Sequence, residues 1–268
     1  MQGLQSATGP VPVDLLLAML LASVRAAGWL MLAPPFNSRA VNARVKAMLS
    51  VSLALPLAVR LRDQVPPVEP AAIITAVVQQ AFIGIALGAL CALVFAAVQA
   101  AGDLLDLFGG FQLASAYDPL MQSQTAIFGK LYGWTSSALL VFSGGHLIIL
   151  AGFLRSYDVV GLDAVMSPAV VAGAFTQGIG QLMLAALQIA APLVAVLFIT
   201  DIGLGLLSRV APALNVFAMS FPLKIIVTLT LGGFAYAMLP DVVTEMIGVA
   251  RDLVVRAAAG GSALGGGS

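Results

Sequence analysis

A stretch of 31 residues, 71–101, contains no charged side chain. An α-helix of this length would be about 46 Å long, whereas the hydrocarbon core of a bilayer is about 30 Å thick. A segment this apolar cannot form the surface of a water-soluble domain. It predicts a membrane helix that tilts, kinks or rises out of the bilayer.

The remaining composition is typical of a polytopic membrane protein. Hydrophobic residues make up 60% of the 268 residues and charged residues 9%, with twelve basic side chains balancing twelve acidic ones. A net charge of zero without a basic stripe argues against nucleic-acid binding. One histidine and one cysteine, Cys91, are too few for a zinc or iron–sulfur site. We expect no cofactor and no enzymatic activity, and we expect Cys91 to be a small buried hydrophobic residue.

Six apolar regions are candidates for membrane helices. They lie at about 13–35, 47–59, 71–101, 125–154, 168–207 and 214–239. The second is short for a span and the fifth is too long for one. A last apolar stretch, 242–255, precedes a Gly/Ala/Ser-rich tail, 256–268, which we expect to be flexible. We predict an all-α membrane protein with long kinked helices and helical hairpins, forming a single domain over residues 1–255.

Several charged residues lie within or beside the apolar regions. Arg25 is near the middle of the first, where exposure to lipid would cost about 2.5–3.5 kcal/mol, so we expect it to face protein or a watery cavity, or to snorkel to an interface. Asp201 and Lys224 raise the same question. A buried Asp–Lys or Asp–Arg pair is possible, and the sequence leaves open which residues meet. Because intramembrane carboxylates also serve ion coupling, Asp103, Asp106 or Asp201 could act in a small secondary transporter. A solvated helix end is the alternative for Asp103 and Asp106.

Three small or polar positions have two interpretations each. Gly84 and Gly88 are four residues apart, a spacing that lets another helix approach closely, although membrane helices also tolerate glycine without such a partner. His146 follows Ser143-Gly144-Gly145 and has no nearby ligand partner in sequence. We expect this histidine to lie in a hydrogen-bonded turn or an interface rather than to act as a catalyst or ligand.

The least regular stretch, 102–124, is the best functional candidate. Phe108-Gly109-Gly110-Phe111 places flexible backbone between two aromatic rings. Irregular backbone at membrane depth survives only when it is buried in protein or lines a water-filled cavity. Two aromatic rings on such a hinge could close a pore as a hydrophobic constriction. The alternative is an ordinary helix–helix turn with packed aromatic side chains.

A series of short motifs extends from about residue 20 to about residue 235. They are QQAFIGIALG (79–88), FAAVQAAGD (95–103), AYDP (116–119), Arg25 to Pro34 with Arg44-Val45-Lys46, FSGGHL (142–147), and DIGLGLLSRVAP (201–212) continuing into NVF (215–217) and SFPLK (220–224). In this order and spacing the motifs resemble the FliR family of flagellar biosynthesis proteins. The virulence-secretion counterpart of that family is related.

The resemblance implies a subunit of the type III protein export gate, in the bacterial inner membrane at the flagellar basal body. FliR proteins join FliP and FliQ subunits in a helical assembly around a pore that conducts unfolded flagellar proteins, and FlhB and FlhA complete the apparatus. The implied fold is a FliP-like part, about 1–190, followed by a FliQ-like hairpin, about 191–255. Partial lifting of the assembly out of the membrane would explain the irregular helix lengths.

The resemblance also assigns site residues, none of them catalytic. A loop that projects into the pore as a plug maps onto 107–117, and we expect it to use Phe108, Gly109, Gly110, Phe111 and Tyr117. Residues expected at subunit interfaces or in structural contacts are Arg25, Gly84, Gly88, Arg209, Pro212, Pro222 and Lys224. Besides the transporter, an assembly scaffold without pore contact remains an alternative.

Overall fold

The computed structural model describes residues 12–38, 40–111, 126–211 and 215–265. Over these ranges the chain forms α-helices, a short 3-10 turn at Arg62–Gln64 and no β-strand, which confirms the predicted fold class. The helices are α1 (Val13–Leu32), α2 (Ala43–Leu61), α3 (Pro70–Phe108), α4 (Ile127–Phe142), α5 (Gly145–Val159), α6 (Pro168–Val210), α7 (Val216–Ala237) and α8 (Leu239–Gly265).

Four of the helices begin at residues that favour a helix N-terminus. The side-chain oxygens of Asn42 and Asn215 each accept a backbone N–H of the first turn at 3.2 Å, at the starts of α2 and α7. Helices α3 and α6 begin at Pro70 and Pro168. Proline suits the first helical position because it lacks an N–H that would otherwise have no partner there.

Four helices in the described ranges are long and apolar enough to cross a membrane: α1, α3, α6 and, from Ala218, α7. Helices α4 and α5 satisfy the same criterion only as a pair, bent by 78° at the break between them. Gly144 at this break has a φ of +71°, a conformation that side chains with a Cβ rarely adopt. The predicted fourth region is therefore a broken span or a re-entrant hairpin.

Helix α3 continues past the point where the sequence predicts a loop. It ends at Phe108, so the irregular stretch expected from residue 102 begins at 109. Gly102 does not break the helix, because its missing Cβ makes room for the Phe128 backbone, whose carbonyl carbon lies 2.7 Å from the position a Cβ would occupy. Leu105 and Asp106 that follow are buried, so packing stabilises the extra turns.

The tail predicted to be flexible is largely helical. Helix α8 runs to Gly265, and Ala257 and Ala258 are buried. Alanine has the highest intrinsic helix propensity, and adding residues to an existing helix avoids the cost of nucleation. Three consecutive alanines after Arg256 therefore extend α8.

The chain divides into two compact units, each with its own core. Unit 1 comprises Met1–Ala92, Leu150–Phe175 and Arg251–Ser268, and unit 2 comprises Leu93–Ile149 and Thr176–Ala250. Fully buried side chains of unit 1 include Leu21, Trp29, Leu30, Leu61, Ile83, Leu87, Leu90, Phe153 and Tyr157. Buried side chains of unit 2 include Leu105, Phe128, Tyr132, Leu140, Leu193 and Leu197.

The apolar surface of the candidate spans is unevenly buried. The most apolar windows of α1 and α3 are 50% and 61% buried within the chain, whereas those of α6 and α7 are only 22% and 11% buried. Helices α6 and α7 therefore expose most of their hydrophobic side chains to whatever surrounds the chain, lipid or other protein.

Candidate functional site

Arg25 lies on α1 in the interior of unit 1, with no exposed surface. Its Nε donates to Oε1 of Gln80 on α3 at 2.6 Å. Its two terminal nitrogens donate to the carbonyl oxygens of Val160 and Gly161 at 3.0 Å, and one also reaches Ser156 at 3.3 Å. The Val160 and Gly161 carbonyls follow the last turn of α5, where backbone oxygens lack helical partners and the helix dipole is negative. The Ser156 carbonyl also accepts the Val160 N–H at 2.9 Å.

Two neighbours complete this polar cluster. The Gln80 side-chain N–H groups donate to the Leu162 carbonyl at 3.1 Å and, less closely, to Gly161 at 3.4 Å. Tyr157 donates its hydroxyl to the Ala22 carbonyl at 2.8 Å, and the Arg25 guanidinium carbon lies 4.4 Å from the centre of its ring. The cluster therefore joins α1, α3 and the end of α5, with backbone dipoles rather than a carboxylate around the positive charge. Arg25 therefore faces the protein interior and does not snorkel to an interface.

Gly84 and Gly88 of α3 lie where α1 crosses it. A Cβ at Gly84 would overlap the Arg25 carbonyl oxygen, and one at Gly88 would come 2.8 Å from the Trp29 carbonyl oxygen. Gly28 on α1 lies at the same helix–helix contact, where a Cβ would come 3.1 Å from the Ala81 carbonyl oxygen. The small-residue spacing thus serves a close helix–helix approach inside the chain, in the way expected from such patterns.

The candidate pore loop begins in unit 2 at the end of α3. Phe108 is the last helical residue, and Gly110 has a φ of +83°, which glycine adopts without strain. A Cβ at Gly109 would lie 2.8 Å from the hydroxyl oxygen of Thr228 on α7. The Phe111 ring packs edge-on against Phe128 of α4, with ring centres 5.5 Å apart.

Beyond Phe111 the predicted plug leaves the described part of the chain. Tyr117, which we expect in the plug, and Pro212, which we expect in a structural contact, both lie outside the described residues. What the structure describes is therefore the base of the loop, held between α4 and α7.

Asp106 has a role that the sequence did not reveal. It is fully buried, and its two carboxylate oxygens accept the backbone N–H groups of Phe128 and Gly129 at 3.1 and 3.0 Å. These N–H groups lie in the first turn of α4, where they have no helical acceptor. The prediction of a solvated helix end is wrong for Asp106, because its charge is stabilised by hydrogen bonds from the backbone. Asp103, one turn earlier, is half-buried beside Gly129.

One of the ion pairs considered possible near the C-terminal half, an Asp–Lys pair, is present but is not fully buried. Lys224 Nζ lies 2.7 Å from Asp201 Oδ1, with side chains 19% and 42% exposed, so α6 and α7 are joined by an ion pair. Pro222 and Arg209 are exposed, on α7 and in the last turn of α6.

The one histidine and the one cysteine of the chain occupy ordinary structural positions. His146 lies at the bend between α4 and α5, with Nδ1 3.4 Å from the Leu140 carbonyl oxygen, which agrees with a histidine in a turn. Cys91 is free and buried, as predicted. Within the described ranges no three His, Cys, Asp or Glu side chains are grouped so as to hold a metal ion.

Two of the three carboxylates considered for ion coupling have structural partners. Asp106 caps α4 and Asp201 is paired with Lys224.

Sequence reasoning did not identify Gln80 as the hydrogen-bond partner of Arg25. The available signal was an amide pair, Gln79-Gln80, in a 31-residue stretch without charge, where a polar side chain needs a partner.

Comparison with known proteins extends over nearly the whole chain. The family described as "Bacterial export proteins, family 1" matches residues 16–249. The flagellar biosynthetic protein FliR of Pectobacterium carotovorum subsp. carotovorum is 29% identical over 224 residues, 83% of this chain and 85% of that protein. FliR of Escherichia coli (strain K12) is 30% identical over 201 residues, 74% of this chain and 76% of that protein. The Yop proteins translocation protein T of Yersinia pestis is 32% identical over 149 residues, 54% and 57% of the two chains.

The match and the apolar helices agree on the kind of protein. The family profile covers the Arg25 cluster, the base of the loop and the ion pair of α6 with α7. Relatives from flagella and from virulence secretion place the chain in a type III export apparatus, and the helices long enough to span a bilayer make it an integral membrane component. The chain belongs to the family of bacterial export proteins that includes FliR.

Proposed function

We propose that the chain is the FliR subunit of a flagellar export gate, in the bacterial inner membrane at the flagellar basal body. In this proposal it assembles with FliP and FliQ around a pore for unfolded flagellar proteins, and FlhB and FlhA work with that pore. The chain acts as a structural subunit and carries out no catalytic step. The flagellar assignment is supported by FliR relatives that are 29–30% identical over 74–83% of the chain.

The observation that carries the proposal is the exposed apolar surface of α6 and α7. Only 22% and 11% of their most apolar windows are buried within the chain. The Asp201–Lys224 pair joins the two helices, and both partners are partly exposed. A lipid-facing charge pair is costly, whereas neighbouring subunits could shield it. We therefore assign the exposed faces of α6 and α7, which lie partly within the FliQ-like hairpin proposed at about 191–255, to contacts with FliP and FliQ.

The pore plug is proposed on the residues Phe108 to Phe111, continuing to Tyr117. Two features support it. The positive φ of Gly110 turns the chain sharply out of α3, and the contacts of Gly109 and Phe111 with α7 and α4 hold the start of the loop. A loop anchored at its base could place aromatic rings across a pore without disturbing the helices around it.

The test of assembly is co-purification and complementation. The chain, expressed in a bacterium whose own FliR gene is deleted, should restore swimming and should co-purify with FliP and FliQ in mild detergent. Restored secretion of virulence substrates without swimming would contradict the flagellar assignment. A chain that purifies as a single species and moves solute in liposomes would contradict the whole proposal.

The test of the plug compares two aromatic replacements in the assembled complex. Phe108→Ala combined with Phe111→Ala should raise the ion conductance of the closed gate in planar bilayers. The matched control is Phe142→Ala, which removes a ring that is 88% exposed and lies outside the loop. Conductance that stays at the wild-type level in the double variant, in complexes of normal composition, would show that these rings do not close the pore.

A further inference from the structure

A cavity of about 430 Å³ opens on unit 1 between α2 and α5. Its floor is aliphatic and includes Leu53, Leu57 and Leu154. Its rim is charged, with Arg60 from α2 and Arg155 and Asp158 from α5. An apolar floor beside a charged rim suits an amphiphilic ligand better than a fully polar one.

The charges on the rim leave one positive charge uncompensated. Arg60 and Asp158 form an ion pair of 2.8 Å, with both side chains about half exposed. This contact uses one of the five N–H donors of the Arg60 guanidinium. Arg155 makes no ion pair or hydrogen bond to any residue that the structure describes. Two guanidinium groups and one carboxylate give a net charge of +1.

Helix α2, which lines one side of the cavity, has features of a lipid-facing helix. A face of α2 other than the one that lines the cavity exposes aliphatic side chains, with Val51, Leu55 and Val59 exposed by 39%, 54% and 64%. Basic residues occur at both ends of the helix, at Arg44 and Arg60. Apolar residues flanked by arginine are typical of helices that contact the acyl chains and anionic headgroups of a membrane.

We propose that this cavity binds the headgroup of an anionic phospholipid that carries one negative charge, such as phosphatidylglycerol. The phosphodiester lies against Arg155 and the free donors of Arg60, because guanidinium groups bind phosphate oxygens through paired N–H donors. The first acyl carbons lie on Leu57 and Leu154. Asp158 accepts hydrogen bonds from headgroup hydroxyls and disfavours dianionic ligands such as free phosphate.

The test is lipid titration of the purified protein in detergent, measured by native mass spectrometry. Phosphatidylglycerol and phosphatidylcholine with identical acyl chains are compared, and wild-type protein should bind the former more tightly. Arg155→Gln should weaken binding of phosphatidylglycerol about fivefold, the effect of one basic residue near an anionic headgroup, and leave phosphatidylcholine unchanged. Arg155→Lys should retain more binding than Arg155→Gln.

Two further variants test whether lipid binding depends on this cavity. One controls for the effect of surface charge elsewhere, and the other changes the shape of the cavity without changing its charge. The matched control is Arg256→Gln, which removes an exposed cation of α8 outside the cavity and should leave both affinities unchanged. Leu154→Trp fills the floor without changing charge and should weaken binding of phosphatidylglycerol as well. Circular dichroism confirms that each variant is folded.

Several results would overturn the proposal. Equal binding of the two lipids by wild-type protein would remove the charge argument. Equal loss in Arg155→Gln and Arg256→Gln would indicate non-specific attraction. Competition by millimolar inorganic phosphate would point to a soluble anion. A photo-crosslinker at Leu154 that captures a protein subunit in native membranes would show that protein covers the cavity.

Discussion

Replacing Arg25 with leucine should destabilise the protein by about 3–5 kcal/mol. The Ser156 carbonyl keeps its helical bond from the Val160 N–H at 2.9 Å, so it loses little. The Val160 carbonyl and the Gln80 side-chain oxygen lose the bonds from Arg25, and the Gly161 carbonyl keeps only a contact of 3.4 Å from Gln80. Two buried acceptors that lose every partner, at about 1–2 kcal/mol each, and a partly satisfied third at about 1 kcal/mol give this magnitude.

The assay is unfolding by denaturant in mild detergent, followed by tryptophan fluorescence. Trp29 is a suitable reporter because it is fully buried on α1 and stacks on Phe153 with ring centres 4.5 Å apart. Arg25→Lys should lower the free energy of unfolding by less than Arg25→Leu does, since an ammonium group can still reach one or two of the acceptors. The exposed Arg44→Gln is the control and should change stability by less than about 0.5 kcal/mol. A leucine variant as stable as this control would refute the reasoning.

Two further perturbations address helix packing and capping. Gly84→Ala places a methyl group on the Arg25 carbonyl and should lower the free energy of unfolding by more than about 2 kcal/mol, whereas Gly173→Ala, with nothing within 4 Å of the new Cβ, should raise it slightly. Asp106→Ala leaves the first N–H groups of α4 without their acceptor and should cost about 1–2 kcal/mol. Faster hydrogen exchange at Phe128 and Gly129 would check this, and unchanged exchange would contradict it.

The class of the protein could be predicted because it depends on composition and local pattern. An uncharged stretch such as 71–101 has few ways to fold other than as a membrane helix, and α3 covers all of it. The close approach at Gly84 and Gly88 was predictable for the same reason, since four-residue spacing places both on one helix face. Which helix approaches them was not predictable, because that depends on the tertiary fold.

The polar contacts were harder to predict because their partners are distant in sequence. Arg25 is 55 residues from Gln80 and 135 from Val160, so no local pattern connects them. Asp106 is only 22 residues from Phe128, but the donors that its carboxylate accepts from are backbone N–H groups, which every residue except proline has. The ends of α3 and α8 were also predicted too early, at Gly102 and at residue 256. Gly102 continues its helix because it packs closely on Phe128, and the alanines after Arg256 continue theirs because of their high helix propensity.

The long separation in sequence between Arg25 and its hydrogen-bond acceptors has a consequence for biosynthesis. Gly161 follows Arg25 by 136 residues, which at typical rates of synthesis takes roughly 7–27 s. During this time the first span exists with a guanidinium group that lacks its carbonyl partners. The nascent N-terminal helix must wait at the translocon, at the membrane interface or with an insertion factor until α5 is synthesised. Completion of α5 is then the step that lets α1 settle in its final position.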